Sequence, residues 1–293
     1  MRLSIPEQEL MTPGHLACQG CGATLAMRYT LKALGNDTIL TFPACCWSVI
    51  DGPFPYTSLK VPLLHMAFEA TGATASGIKA ALEIKGNTET TVVGWAGDGG
   101  TFDIGLQALS GAAERNEDFI YICYDNEAYM NTGIQRSGAT PWGAWTATTP
   151  VENFNSIFKK NIEEILAAHR IPYVATASVA YPEDLVKKIK KAKGIKGFRF
   201  IHIFAPCPPG WKTRSEDTVK LARLAVQTTV FPLYEIENSE KYTINIVIKK
   251  RKPVNEYLEL QGRFKHLKEE HINFIQENID KNWEKLLKKA GLI

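Results

Sequence analysis

Two short polar clusters each follow an apolar run that is typical of a buried strand. Gly97-Asp98-Gly99 comes after Thr91-Val92-Val93, and Asn126 comes after residues 119–124. Because ligands of open α/β sheets bind beyond the carboxyl ends of the strands, we expect the carboxylate and the amide to converge there. Oxygen ligands of this kind suit Mg²⁺, and the glycines would let backbone N–H groups approach a diphosphate. The alternative is an ordinary strand-to-helix turn in which Asp98 only caps the helix.

The chain also carries six possible thiolate ligands, namely Cys18, Cys21, Cys45, Cys46, Cys123 and Cys207. The first two form a Cys-x-x-Cys in a glycine-rich loop, whereas the adjacent pair and the last one each follow a predicted strand. Four thiolates from these places would suit an iron–sulfur cluster or zinc, and they do not by themselves separate the two metals. A thioredoxin-like dithiol is the rival interpretation, but no strand is predicted before Cys18. Cys123 lies within an apolar run, which indicates a core residue.

The motif residues resemble those of a known enzyme family. Gly97-Asp98-Gly99 followed by Asn126 is similar to the thiamine-diphosphate motif, and residues 124–137 (YDNEAYMNTGIQRS) resemble the β subunit of the pyruvate:ferredoxin oxidoreductases, within the 2-oxoacid:ferredoxin oxidoreductases. In that family an Asp, a later Asn and a backbone carbonyl hold Mg²⁺ against the diphosphate of the cofactor. The resemblance therefore implies a magnesium site made by Asp98, Asn126 and the carbonyl of Ala128.

The resemblance also implies a [4Fe–4S] cluster, with Cys18, Cys21, Cys46 and Cys207 as its ligands. Such a cluster agrees with a thiamine enzyme, because decarboxylation of a 2-oxoacid leaves electrons that an acceptor must take. The family commonly has Gly or Ser before the third ligand, where this chain has Cys45, so Cys45 stays open as an alternative. Cys46 keeps the family spacing from Cys18 and is expected beside the cofactor.

Two further residues are implicated by the resemblance. The amide of Asn131 would donate to the carboxylate or keto oxygen of the substrate, which makes Asn131 the candidate catalytic residue; the alternative is a turn residue before Gly133. His65 stands in a His-x-Ala-Phe-Glu-like string that family members carry near the cofactor. It is therefore a cofactor-binding candidate, and the alternative is a hydrogen-bonded histidine at a helix start or an interface.

The implied activity is the reversible oxidative decarboxylation of pyruvate with coenzyme A to acetyl-CoA and CO₂, with electrons passed through the cluster to ferredoxin. Thiamine enzymes activate the cofactor through a Glu on a separate domain. This chain supplies only the diphosphate side, so another subunit is expected to bring the Glu and the chain alone should be inactive. The alternatives are the same machinery acting on oxalate or another 2-oxoacid, and a non-catalytic Cys₄ zinc protein.

The composition is ordinary for a globular protein and argues against several classes. The 293 residues are 45% apolar and 22% charged, and the formal net charge of +3 is too small to indicate a nucleic-acid-binding protein. No apolar run reaches the roughly 18 residues of a transmembrane helix, and the chain begins with charges and Pro6 instead of a hydrophobic signal core. We therefore expect a cytoplasmic protein that binds neither nucleic acid nor membrane.

Strands that alternate with helical patterns predict an α/β fold with a mainly parallel sheet, and the resemblance implies the thiamine-diphosphate-binding type. Residues 1–229 are interpreted as one domain and residues 230–293 as a C-terminal extension, a hairpin turning at Asn238-Ser239 followed by a helix. The prolines of residues 51–70 predict an irregular loop. The lysines of residues 182–193 are expected on a solvated outer face. Helical patterns cover residues 23–34, 71–82, 102–109, 152–169, 182–193, 215–229 and 256–289.

Overall fold

The computed structural model describes residues 4–293. Residues 1–3, which are part of the N-terminal stretch in which no signal sequence is expected, lie outside the described residues. Its strands are β1 (Thr38–Pro43), β2 (Leu63–Met66), β3 (Thr91–Gly97), β4 (Ile120–Asp125), β5 (Tyr173–Ser178), β6 (Arg199–Phe204), β7 (Tyr234–Glu237) and β8 (Lys241–Ile244). They form an eight-stranded sheet in the order β2-β1-β3-β4-β6-β5-β7-β8. The pairs among β1 to β6 are parallel, whereas β7 and β8 pair antiparallel. The expected mainly parallel α/β fold is confirmed.

Helices cover both faces of this sheet. They are α1 (Gly22–Leu34), α2 (Trp47–Ile50), α3 (Thr71–Ile84), α4 (Leu106–Glu114), α5 (Ile162–Ala167), α6 (Pro182–Lys193), α7 (Pro208–Trp211), α8 (Thr218–Gln227), α9 (Asn255–Leu258) and α10 (Glu269–Lys289). One apolar core lies between the sheet and α1, α6 and α8, and a second lies between the sheet and α3, α4, α5 and α10. The central strands are buried on both faces, which explains why they read as continuous apolar runs.

The register of the sheet brings the predicted site residues to one edge. Gly97 pairs with Tyr124, and Asp125 pairs with Phe204, so β3, β4 and β6 end side by side. β1 ends next to β3 and leads into the adjacent cysteines. The residues that follow these four strands therefore surround a single region at the carboxyl edge.

Several local predictions were wrong. Residues 51–70 contain the edge strand β2, which pairs with β1 through Leu40 and Leu63. A π-helical turn, Gly99–Asp103, precedes α4, so the first half of the helix predicted over residues 102–109 is not α-helical, and Ile104 within it is half exposed. The lysine face of α6 is not entirely solvated, because Lys188 is buried and donates to Asp184 Oδ2 at 2.7 Å and to the carbonyl of Thr176 at 2.8 Å.

Two predicted helices are shorter than expected. Residues 154–161 have no regular secondary structure, and only α5 is an α-helix in residues 152–169. The Asn155 amide donates to the carbonyls of Thr140 and Pro141 at 3.0 and 2.9 Å, so this segment is bound to the preceding loop instead of continuing α5 toward the N-terminus. Residues 256–289 are divided into α9, a 3₁₀ turn at Gly262–Phe264, and α10.

The C-terminal hairpin is present and extends the sheet. β7 pairs with β5, and the turn residues Asn238 and Ser239 have φ angles of 51° and 63°, as a tight hairpin turn requires. The division of the chain at residue 230 stays a prediction. None of the helices in residues 4–293 is both long and apolar enough to cross a membrane.

Candidate functional site

Asp98 begins the site directly after β3. It is buried, and Ser137 Oγ donates to its Oδ2 at 2.5 Å. Asp98 occupies the N-cap position of the turn that follows, as the alternative interpretation expects, but its carboxylate makes no capping bond there. Ser137 is a neutral donor, and no Lys or Arg in residues 4–293 forms an ion pair with Asp98. The carboxylate is thus buried without a bonded cationic side chain, an arrangement that is costly unless a cation is bound there.

The amide of Asn126 faces two oxygens. One of its terminal atoms lies 2.9 Å from the carbonyl oxygen of Ala128 and 3.0 Å from Asp98 Oδ1. If that atom is the nitrogen, it donates to both. If it is the oxygen, three oxygens face one another without a proton, and a cation is needed to hold them together. Octahedral Mg²⁺ with bonds of about 2.1 Å separates adjacent ligands by roughly 3 Å. The residues present therefore fit a magnesium ion.

The pKa values of the two aspartates at this edge, Asp98 and Asp125, are shifted in opposite directions. Burial, together with the charge of Asp125, raises the pKa of Asp98 well above its usual range. Burial would also raise the pKa of Asp125, but the attraction of Lys159 and a hydrogen bond from His202 outweigh it and lower the pKa to about 2. Asp125 is thus a carboxylate already paired by the protein, whereas Asp98 is the one that a metal ion would neutralise.

The glycines after β3 are required by close packing. A Cβ on Gly99 would lie 2.2 Å from Cε1 of Tyr129. A Cβ on Gly97, the last residue of β3, would lie 3.2 Å from the hydroxyl oxygen of Tyr124. The Tyr129 hydroxyl donates to Asp103 Oδ2 at 2.7 Å, which fixes its ring over the π-helical turn. Glycine therefore permits both the aromatic packing and a close approach of a ligand to this backbone.

A cavity of about 190 Å³ opens over these residues. Of the predicted cofactor-binding residues it is lined by Gly97, Asp98, Gly99, Asn126, Ala128, Asn131 and Cys46, with Cys45 beside them. His65 is not among its lining residues. It lies on β2, where its ring packs edge-on against Phe42 at 4.6 Å and its Nε2 is 3.8 Å from Asp51 Oδ2. The predicted helix start at His65 is wrong, because the residue is in a strand.

Asn131 lies in a tight loop that leaves β4. Two backbone hydrogen bonds between Tyr129 and Gln135, at 2.9 and 3.2 Å, close this loop. Gly133 has a φ of 120°, a conformation that glycine adopts readily. Asn131 therefore lies inside this closed loop, where it is exposed and lines the cavity.

The cysteines that are distant in sequence come near one another. The N–H of Gly22, next to Cys21, donates to the carbonyl of Pro206 at 3.0 Å, and a Cβ on Gly22 would lie 2.7 Å from the carbonyl carbon of Ala205. The loop of Cys21 therefore packs directly on the segment of Cys207. Cys123 is buried in β4, as predicted for a core residue.

The electrostatics of the thiols reflect this proximity. Burial raises the pKa of Cys46, and the nearby Cys45, Cys207 and Cys21 raise it further. Burial likewise raises the pKa of Cys207 to about 12, with contributions from Cys21 and Cys18. In the described part of the chain, however, no three His, Cys, Asp or Glu side chains are arranged closely enough to hold a metal ion. The four-cysteine ligand set stays a prediction.

Sequence reasoning did not identify four residues that lie around Asp98 and the loop of Asn126. Ser137 was the last residue of the motif string, and its hydroxyl was the available signal. His202 is a polar residue in the middle of the apolar strand β6, where its Nε2 donates a hydrogen bond to Asp125 Oδ2 at 2.8 Å. Lys159 pairs with the same carboxylate, and Trp211 Nε1 donates to the carbonyl of Asn126 at 2.8 Å. The last two gave no signal, because their contacts depend on the fold.

Known proteins with similar sequences and structures complete the assignment. Residues 50–203 match the C-terminal TPP binding domain of thiamine pyrophosphate enzymes. The chain is 56% identical over 299 aligned positions to ketoisovalerate oxidoreductase subunit VorB of Pyrococcus abyssi, covering 99% of this chain and 96% of that protein. It is 52% identical over 281 positions to pyruvate synthase subunit PorB of Methanothermobacter thermautotrophicus, covering 95% and 97%.

A solved structure agrees at the level of the fold. The chain superposes on 2-oxoglutarate:ferredoxin oxidoreductase from Magnetococcus marinus with a TM-score of 0.59 and 21% identity, over 76% of this chain and 84% of that one. That structure contains 2-oxoglutarate, coenzyme A and succinyl-CoA. Together with the two close relatives and the matched domain, this shows that the chain belongs to the thiamine-diphosphate-dependent 2-oxoacid:ferredoxin oxidoreductases, as one of their subunits.

Proposed function

We propose that the chain binds the diphosphate of thiamine diphosphate through Mg²⁺ held by Asp98, Asn126 and the carbonyl of Ala128. It would act in a cytoplasmic enzyme complex that converts pyruvate and coenzyme A reversibly to acetyl-CoA and CO₂. The observation that carries the proposal is the convergence of Asp98 Oδ1, the Ala128 carbonyl oxygen and one terminal atom of the Asn126 amide, at 2.9 and 3.0 Å, beside a glycine-rich turn. When bound, the cofactor supplies the electron sink for decarboxylation of a 2-oxoacid.

The residues of this chain bind and orient. Asp98 supplies the negative charge for the metal, and Ser137 keeps its second oxygen turned away by donating to it. The glycine turn exposes backbone N–H groups toward the diphosphate. Asn131 is the candidate catalytic residue, because it lines the same cavity and can donate a hydrogen bond to the substrate without adding charge.

The electron acceptor is proposed to be a [4Fe–4S] cluster held by Cys18, Cys21, Cys46 and Cys207, which passes electrons to ferredoxin. Supporting this are the packing of the Cys21 loop on the Cys207 segment and the position of Cys46. With the Asn126 oxygen turned to the metal, its nitrogen lies 4.0 Å from Cys46 Sγ. Cys46 would thus link the cluster to the cofactor. A brown chain with iron–sulfur absorption is expected, whereas a colourless chain with zinc would contradict it.

A partner subunit is proposed to complete the site. Glutamate is absent from the described lining of the 190 Å³ cavity, so the group that activates the cofactor must come from elsewhere. The isolated chain is therefore expected to be inactive, and adding the remaining subunits should restore activity.

The substrate is proposed to be pyruvate, with ketoisovalerate as the second candidate. Pyruvate is supported by the residues that resemble pyruvate:ferredoxin oxidoreductases and by the 52% identity to the pyruvate synthase relative, and ketoisovalerate is supported by the 56% identity to the ketoisovalerate relative. Both are 2-oxoacids, which differ in the size of the aliphatic group that the complete cavity must accept. Purifying the whole complex and measuring kcat/KM for pyruvate, ketoisovalerate and oxalate, with coenzyme A and a ferredoxin, decides among them.

The same preparation tests the cofactor. The complex should contain thiamine diphosphate and magnesium in equal amounts, and chelation with EDTA should release both. A complex that reduces ferredoxin while containing neither would contradict the proposal.

A further inference from the structure

Glu127 lies between two of the proposed magnesium ligands and has a strained backbone. Its φ is 66°, in the left-handed region that a residue with a Cβ rarely adopts. Its N–H donates to Asp125 Oδ1 at 2.9 Å, and its carbonyl accepts from Thr140 Oγ1 at 2.8 Å. This left-handed residue reverses the chain so that the Asn126 amide and the Ala128 carbonyl face the same side. The geometry of the magnesium site therefore depends on what holds Glu127.

The side chain of Glu127 is held from the C-terminal segment. It is buried, with Oε2 accepting from Arg263 at 2.5 Å and Oε1 lying 3.3 Å from Lys159 Nζ. Arg263 is also buried and is itself fixed, because its Nε and a terminal nitrogen donate to Gln261 Oε1 at 2.9 and 2.8 Å. A buried, charge-assisted bond of this kind constrains both partners.

Arg263 contacts the metal loop by a second route. Its guanidinium lies 3.9 Å from the ring centre of Trp211, and Trp211 Nε1 donates to the carbonyl of Asn126 at 2.8 Å. The segment around Arg263 is docked closely, since a Cβ on Gly262 would lie 2.6 Å from Cβ of Lys212. One arginine therefore supports the residues on both sides of the Asn126–Glu127 peptide bond.

We propose that Arg263 is a positioning residue for the magnesium site. Through Glu127 and Trp211 it holds the left-handed turn that directs the Asn126 amide and the Ala128 carbonyl toward Asp98. The inference rests on the proposed magnesium site and adds to it that the C-terminal segment sets the affinity for the metal. The competing explanation is that the pair of Arg263 and Glu127 only stabilises the fold.

The two explanations differ in what a charge-neutral replacement restores. Arg263→Met leaves Glu127 buried without its strongest partner, which destabilises the chain in either case. Combining it with Glu127→Gln removes the unpaired carboxylate and should recover thermal stability. The double variant still lacks the arginine that supports the turn. If Arg263 is a positioning residue, the affinity for Mg²⁺ should therefore stay low in the double variant.

The experiment uses the complete complex after removal of metal with EDTA. The Mg²⁺ concentration at which half of the thiamine diphosphate is retained through gel filtration is measured for each variant, alongside thermal unfolding. Loss of this support is expected to raise that concentration at least about tenfold, the lower limit for removing a supporting partner of a metal ligand. Arg251→Met is the matched control, because Arg251 also pairs with a carboxylate in the C-terminal segment, Asp280 at 2.7 Å.

We expect a raised Mg²⁺ requirement in Arg263→Met and in the double variant, wild-type behaviour in the control, and faster hydrogen exchange at the amides of residues 126–128 in both affected complexes. A double variant that recovers stability and the wild-type Mg²⁺ requirement together would overturn the inference, as would an equal rise in the control. If Arg263→Met does not assemble, the double variant decides alone. A wild-type complex that retains the cofactor without Mg²⁺ would overturn the proposed metal site itself, and the inference with it.

Discussion

Asp98→Asn separates the metal-binding role of Asp98 from any structural role. The amide has nearly the shape of the carboxylate and can still accept the hydrogen bond from Ser137 Oγ, which is 2.5 Å from Asp98 Oδ2. Its nitrogen can then donate toward the Asn126 amide oxygen, which relieves one of the two oxygen–oxygen contacts without a cation. The substitution therefore removes the charge while keeping the shape of the side chain and the hydrogen bond from Ser137.

The expected loss of Mg²⁺ affinity is at least about 100-fold. Removing a partner that only orients a metal ligand already costs roughly 10–100-fold. Asp98 would be a direct ligand and carries the only formal charge among Asp98, Asn126 and the Ala128 carbonyl, so the loss should reach or exceed the upper end of that range. A 100-fold loss corresponds to about 2.7 kcal/mol of binding free energy. The metal-free chain should be at least as stable as the wild type, since a buried charge is replaced by a neutral group.

The assay is a Mg²⁺ titration of thiamine diphosphate retention in the assembled complex, together with urea unfolding of the chain. Asp118→Asn is the control: Asp118 lies just before β4, at the opposite end from Asn126, and pairs with Lys79 at 3.0 Å and with Arg199. It should lower stability and leave the Mg²⁺ requirement unchanged. If Asp98→Asn retained the cofactor at the wild-type Mg²⁺ concentration, the assignment of Asp98 as a metal ligand would be wrong.

Four other substitutions test the remaining roles. Asn131→Ala should keep cofactor and cluster but lower turnover by about 10²–10³-fold, as for the loss of one donor to developing charge; near-normal turnover on every 2-oxoacid would leave Asn131 as a turn residue. Cys46→Ser should bleach or convert the cluster in the visible spectrum and Cys45→Ser should not, and the reverse result would move the third ligand by one position. Burial lowers the pKa of His202, but two neighbouring carboxylates raise it to about 9 from 6.5. Protonated His202 therefore adds about 3 kcal/mol to the free energy of unfolding below about pH 6.5, and this stabilisation is lost as the pH rises through about 9. In urea unfolding, the destabilisation caused by His202→Gln should accordingly shrink over that range. A difference that does not change with pH would show that the histidine is neutral.

The central strands could be predicted because their sequence pattern has one physical cause. β3 and β4 are buried along their whole length, so they must be apolar runs, and the polar residues that follow them mark the carboxyl edge. β2 lacks this signal. It is a four-residue edge strand whose middle residues are exposed, and nothing in its composition distinguishes it from a proline-flanked loop.

The helix expected over residues 152–169 failed for a different reason. Its local pattern is helical, but tertiary bonds hold residues 154–161 without regular secondary structure. Lys159 reaches Asp125, and Lys160 Nζ lies 2.9 Å from Asp103 Oδ1, so both side chains are committed to the edge of the sheet. Local propensity is a weak preference, and such contacts override it.

The fold, and not the local sequence, also decides which carboxylate is left for the proposed metal ion. The stretch Asp125-Asn126-Glu127 offers two carboxylates and an amide, and sequence alone allows any of them to bind a cation. In the fold, Asp125 is paired with Lys159 and His202, while Glu127 is paired with Arg263 across 136 residues. These buried ion pairs leave neither carboxylate free, and they fix the backbone on both sides of Asn126. Asp98 is thereby the carboxylate at this edge without a bonded cationic side chain in residues 4–293, so the proposed Mg²⁺ would be stabilised between Asp98 and Asn126 and not along the loop.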